Sequence, residues 1–242
     1  MRPQKPPLDE RIHAILLRGF GLRTRDFSHE RVERAMAALN VARSPLPPVI
    51  GEVLWMSAPI AFTLPGHYAY ISRSLIEYCQ SDAPVAFALA HEIGHLDLGH
   101  TDRVGRVLTA EGLAHAPEML ATVVLEVLSR LLYSREHELA ADAYALDLCR
   151  KAGFDPKKCL ECVDILTRYS LDHHDLDGVY GSDEEIELDP DQATNSVGRL
   201  YIELRLWCAR HRRSHPSLYE RRQALLKQIA AKEQPGLSCR PS

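Results

Sequence analysis

The sequence predicts an α+β fold, mostly helical, with a small antiparallel sheet set beside one buried helix. Residues 83–98 form an apolar run in which Val85, Leu89, Ile93 and Leu96 recur at spacings of four, four and three, the period of a helix resting on a core. Ahead of it, 53–56, 60–64 and 67–72 read as short extended segments, the last two separated by the turn signal Pro65-Gly66. Helical patterns at 8–43 and 134–142 flank this centre.

Taken in order, residues 8–43 predict one or two amphipathic helices, with Ser28 capping a helix over 31–42. The proline-rich stretch 44–48 ends them, because proline offers no N–H. Residues 60–72 then fold back as an antiparallel hairpin, and 75–79 make a helical turn. Ser81 or Asp82 caps the apolar helix, whose first turn suits Pro84. The expected organisation is an N-terminal helical segment (1–48), a main domain (49–235) with an acidic loop at 170–192, and a C-terminal tail (236–242).

Composition bounds the function. The chain has 242 residues, 45% of them hydrophobic, enough for a core, and its net charge of −4 gives no reason to expect nucleic acid. The apolar stretch 119–133 carries Glu126 and Arg130 four residues apart, so it predicts a packed helix with an ion pair and not a transmembrane segment. The first residues lack the apolar run of a cleavable signal, which leads to the expectation of a cytoplasmic protein. Cys159 and Cys162 form the one C-x-x-C pair, and their spacing with Val163 and Leu166 predicts helix-core cysteines. Oligomeric state is not legible.

Within the apolar helix lies His91-Glu92-Ile93-Gly94-His95, an H-E-x-x-H pattern. One helical turn apart, His91 and His95 can converge on one Zn²⁺, with Glu92 beside them to take a proton from a water that the metal activates. At about 100° per residue the histidines project away from the apolar stripe, toward a cleft. His100 is no third ligand on this reading. Five residues past His95 on a straight helix it turns about 140° away, and the longer signature needs Gly at 98 and His at 101, where this chain has Leu98 and Thr101. A third ligand therefore comes from elsewhere, and residues 134–142 are the best source. Glu138 and Asp142 share a face, and Ala140, Ala141 and Ala143 let that helix come close. One carboxylate can bind the metal while another holds the free nitrogen of a ligating histidine, but spacing leaves Glu136, Glu138 and Asp142 all open.

Together with H-P-S-x-x-x-R at 215–221, H-E-I-G-H at 91–95 and S-R-x-x-E-x-x-A-D at 134–142 resemble the HtpX and CaaX-prenyl-protease type of gluzincin, metallopeptidase family forty-eight. Residues 61–66, 70–72 and 152–156 extend the likeness, which covers roughly 30–228. The resemblance implies a zincin fold and one Zn²⁺ per chain, held by His91, His95 and Glu138, with Glu92 as general base. It implies that Asp142 supports a ligand, that His215 stabilises the transition state or serves as an occasional fourth ligand, and that Arg221 supports the His215 loop. Ile60 stands where the family usually has Asn before its edge strand. The best-known members are membrane enzymes, whereas this chain resembles the soluble ones.

The expected function is a zinc metalloendopeptidase. Protein or peptide substrates would lie along the edge strand with the scissile carbonyl at the metal. The alternative is a regulatory or scaffold protein that keeps zinc without turning over peptides. The acidic run 170–192 holds nine Asp or Glu and no Lys or Arg, and reads as a solvated loop or a lid. Residues 204–232 are Arg-rich, a solvated face or a counterpart to that loop.

Overall fold

The computed structural model describes residues 7–21, 24–102, 133–172 and 216–233. The stretch 119–132 with its Glu126–Arg130 pair, the acidic run beyond Asp172, and His215 lie outside the described residues.

The chain enters as α1 (Leu8–Phe20) and α2 (Phe27–Ala42). Asp26, and not the expected Ser28, caps α2: its carboxylate accepts the Ser28 N–H at 3.0 Å, and its own N–H goes to His29 Nδ1 at 3.2 Å. Ser28 therefore falls inside the first turn and is buried. Val32, Ala35, Met36 and Leu39 of α2 join the main core. Ile12 and Leu16 of α1 instead complete a second cluster with Leu54, Phe62, Leu64 and Tyr70.

Three strands follow, β1 (Ile50–Leu54), β2 (Ala61–Thr63) and β3 (Tyr68–Ser72), in the order β1-β3-β2. The hairpin β2–β3 is antiparallel as the Pro65-Gly66 signal predicts, with Phe62 opposite Tyr70 and Gly66 at φ +134° in the turn. Ile60 lengthens it through its backbone alone, donating to Ser72 Oγ and accepting the Ser72 N–H. β1, however, runs parallel to β3, so the sheet is mixed and not wholly antiparallel. The cause is topological: β3 returns between β1 and β2, and alternation within a strand carries no information about its neighbour's direction.

After α3 (Arg73–Tyr78) comes the central helix α4 (Asp82–Asp97). Val85, Leu89 and Ile93 of the predicted stripe are buried and Leu96 is partly so, and every residue from Ala83 to His95 is buried. The reason is α5 (Arg135–Lys151), which lies across the face that carries the histidines. Its approach is close at Gly94, where an added Cβ would sit 3.3 Å from the Ala141 backbone. Of the three alanines expected to allow this approach only Ala141 is buried, since Ala140 and Ala143 turn outward on the same helix. α2 clamps α4 at both ends. Arg31 donates to Asp82 at 2.9 Å, while the buried Arg43 grips Asp97 with two N–H groups at 3.1 and 2.5 Å, and Tyr144 of α5 donates to the same carboxylate.

Short α6 (Pro156–Cys159) and α7 (Glu161–Asp172) close the core from below α5. Residues 170–172, expected in the acidic loop, are the last turn of α7. Cys79, Cys149, Cys159 and Cys162 are free and buried, so the C-x-x-C pair is core, split between two helices. The last described helix, α8 (Leu218–Glu233), inserts Leu225 and Ile229. Ion pairs hold its outer side: Arg135–Glu220 at 3.0 Å, Arg222–Asp164 at 2.7 Å, Lys232–Asp147 at 2.6 Å and Lys157–Glu233 at 3.0 Å. Among the described residues no helix is long and apolar enough to cross a membrane.

Candidate metal centre

Helical spacing on α4 brings the Nε2 atoms of His91 and His95 to 3.1 Å from each other. From α5, Glu138 places Oε2 3.5 Å from His91 Nε2 and Oε1 3.5 Å from His95 Nε2. With one ligand atom taken from each residue, the three lie within 4.8 Å of one another, a triangle that one metal ion can hold together. A tetrahedral zinc with bonds near 2.0–2.1 Å sets its ligand atoms about 3.3 Å apart. Among the described residues, these three are the group of His, Cys, Asp or Glu that could hold an ion, and they are shielded from solvent. Glu136, the rival for the third position, is exposed and accepts from Ser134 Oγ at 2.8 Å.

Each histidine is held from behind. His91 Nδ1 lies 2.9 Å from Asp142 Oδ1, and Asp142 takes two bonds from Arg221 at 2.8 and 2.7 Å. Such a partner fixes the ring and its tautomer, leaving Nε2 for the ion. Arg221 of α8 also reaches Glu138 Oε2 at 3.3 Å, so it touches the centre itself, beyond the loop support expected of it. His95 Nδ1 lies 2.9 Å from His100 Nδ1. His100 is not in the ligand triangle, as expected, but its direction differs from the extrapolated helix. α4 stops at Asp97, Gly99 takes φ +72°, and the chain turns back to set His100 behind His95 and against the His137 ring. Tyr133 stacks on the face of the His95 ring, 3.8 Å between centroids.

The charges follow from this packing. Burial and the Arg221 charge push His91 down, but its bonds to Asp142 and Glu138 outweigh them and raise it. Burial pushes Glu138 up, yet the two histidines and Arg221 hold it well below the usual carboxylate range. Glu92 goes the other way. Burial, then Glu138, lift it to about 7 against the pull of His91 and Arg221. A carboxylate poised near neutrality can both take and return a proton. The backbone of Thr63 in β2 adds a weaker downward pull on Glu92, so the strand faces the metal helix near this residue.

Six of the seven residues expected in the site thus converge: His91, Glu92, His95, Glu138, Asp142 and Arg221. His215 lies outside the described residues, although the adjoining Pro216 is buried. Sequence reasoning missed Thr63, Tyr133 and the part of His100. Thr63 acts through its backbone and leaves no residue signature, while Tyr133 has no spacing relation to the motif.

The family model of peptidase family M48 matches residues 23–229. A mitochondrial metalloendopeptidase OMA1 of Arabidopsis thaliana is 31% identical over 135 residues, which cover 49% of this chain and 26% of that protein. A protein of the same name from Saccharomyces cerevisiae is 30% identical over 115 residues, covering 43% of this chain and 32% of its own length. The chain therefore spans about a quarter to a third of the length of the curated relatives it matches.

Proposed function

The chain belongs to peptidase family M48, and from that membership we propose a zinc-dependent endopeptidase that hydrolyses peptide bonds of protein substrates. The observation that supports it best is the pairing of a metal-sized ligand triangle with a buried carboxylate that is no part of it. A structural zinc site closes all four positions with protein ligands and has no use for such a group. Here His91, His95 and Glu138 supply three.

Zinc, when bound, supplies a Lewis acid that polarises the scissile carbonyl and acidifies a water. Glu92 takes a proton from that water as its oxygen attacks the carbonyl carbon, then gives the proton to the amide nitrogen as the C–N bond breaks. Asp142 and His100 keep the two imidazoles in register. Arg221 neutralises the charge that Glu138 and Asp142 bring into a buried space. An extended peptide adds to the outer edge of β2, which among the described residues pairs with β3 alone and lies beside Glu92. His215 serves as a further donor in the transition state, on the strength of its H-P-S-x-x-x-R resemblance.

The test is Glu92→Gln in zinc-loaded protein, with an unfolded casein-type substrate. Zinc content and fold should be retained while hydrolysis falls about 10²- to 10⁴-fold, and chelation should abolish wild-type cleavage. Zinc-loaded wild type that leaves such substrates intact would favour the non-hydrolytic, zinc-keeping protein.

A further inference from the structure

Tyr133 stands directly before Ser134, the residue that caps α5 with a reciprocal pair of bonds to His137. That cap fixes the tyrosine backbone, and the ring is fixed in turn by its stack on His95, 3.8 Å between centroids and 13° from parallel. The side chain is 5% exposed. Its hydroxyl is buried, yet among the described residues it has no hydrogen-bond partner. Buried tyrosines ordinarily find one, because an unmade bond leaves the desolvation cost of the hydroxyl uncompensated.

The surroundings show what the hydroxyl is for. Burial raises the phenol, and the two charges that raise it further are the carboxylates of Glu92 and Glu138, the proposed base and a ligand. A phenol carries a proton that it can donate to an oxygen brought beside it. Arg221, the other strong donor at the centre, is committed to Asp142 and Glu138 on the His91 side. On the His95 side His100 is turned to His95 Nδ1, and the Tyr133 hydroxyl is the donor without a partner among the described residues. A donor left unpaired in the ground state gains most when negative charge appears beside it, which is the differential binding that accelerates a reaction.

Resting on the peptidase reading above, we propose that Tyr133 is a catalytic residue whose hydroxyl donates to the substrate carbonyl oxygen as the carbon becomes tetrahedral. No bond to Tyr133 forms or breaks. Its hydrogen bond strengthens as the oxygen gains charge and relaxes when the C–N bond breaks and the carbonyl returns. The ring does separate work, packing flat against the His95 imidazole.

Tyr133→Phe keeps the ring and removes the donor, so it separates the two parts. In zinc-loaded protein kcat should fall roughly 100-fold, as for loss of one oxyanion donor, with KM within about twofold. Zinc affinity, measured by competition with a chelator, should not change. The melting temperature of the variant should equal or exceed that of wild type, since an unsatisfied buried hydroxyl has gone. Binding of a phosphinic peptide, which carries a tetrahedral anion, should weaken by a factor similar to the loss in kcat, while binding of the cleaved product peptide stays the same. Tyr133→Leu should additionally weaken zinc binding through loss of the stack.

Wild-type kcat and phosphinic-peptide affinity in Tyr133→Phe would overturn the assignment. So would a loss of activity that tracks lost zinc or a lowered melting temperature, which would make the hydroxyl structural. If zinc-loaded wild type cleaves nothing, the peptidase reading falls by itself. The phosphinic-peptide comparison then still decides whether Tyr133 donates to a tetrahedral anion.

Discussion

Asp142→Asn changes one buried oxygen to an amide nitrogen, and the local geometry dictates the consequences. Oδ1 serves both His91 Nδ1 at 2.9 Å and Arg221 Nη2 at 2.7 Å, while Oδ2 serves Arg221 Nε at 2.8 Å. An amide has one oxygen. With that oxygen at the Oδ1 position, its NH₂ faces the Arg221 Nε–H, donor against donor. Flipped, it faces His91 and a second Arg221 N–H, which is worse by one bond. Either way Arg221 loses its matching charge and leans on Glu138, 3.3 Å away, drawing a proposed ligand off the triangle. Loss of such an outer partner costs about 10- to 100-fold in metal affinity, or about 1.4–2.8 kcal/mol. Breaking a buried ion pair should lower the unfolding free energy of the chelated protein by about 3–5 kcal/mol. The assays are zinc competition against a chromophoric chelator and urea unfolding after metal removal. A second variant separates the two effects: Asp142→Leu with Arg221→Met removes both charges and should recover stability without recovering zinc affinity. Zinc binding in Asp142→Asn within about twofold of wild type would contradict this account, because His91 would then need no support from that carboxylate.

Glu138→Ala should lose zinc binding by equilibrium dialysis, whereas Glu136→Ala should retain it, since Glu136 faces solvent; the reverse order would mean the wrong carboxylate has been assigned. Asp97→Asn should cost about 3–5 kcal/mol in denaturant unfolding, because Arg43 would be left buried with an incomplete partner. The double variant Cys159→Ser with Cys162→Ser should leave zinc stoichiometry unchanged by metal analysis, and a lost zinc would reveal a site in the core. Asp147 is held down at about 2 by its bonds to Lys232 and then Lys151. A depressed carboxylate contributes stability that is complete above its ordinary 3.8 and fades as pH falls through about 2. Its NMR titration midpoint should lie near 2 and climb toward 3.8 in Lys232→Met.

Much of the site was legible because metal chemistry constrains residue type and spacing together. His91, Glu92 and His95 sit on one helix, where a spacing of four is a contact. Glu138 needed more, since periodicity groups it with Asp142 but cannot say which one faces α4; the family resemblance supplied the choice, and the structure places its carboxylate between the histidines. The failures have physical causes as well. His100 was extrapolated along a helix that ends at Asp97, and Gly99 was the unread signal for the turn. The parallel pairing of β1 depends on where β3 inserts, a long-range fact. Asp26 displaced Ser28 as the cap because either residue type can cap and only the onset of helical backbone decides. Tyr133 was invisible because its contact to His95 crosses from the stretch before α5 to α4, far apart in sequence.

The attachment of α8 divides into two electrostatic regimes. Arg135–Glu220, Lys157–Glu233 and Lys232–Asp147 are exposed at the rim, where mobile ions at physiological strength reach across a Debye length of about 8 Å. Arg221–Asp142 is shut away, with 14% and 2% of the two side chains exposed, and dissolved ions do not enter. Rising ionic strength therefore loosens the rim of the helix while its inner arginine keeps its grip beside the histidines. Thermal stability should decline between low and moderate salt, and zinc affinity over the same range should hold steady. The centre is insulated from the composition of the medium by the depth at which one helix is anchored.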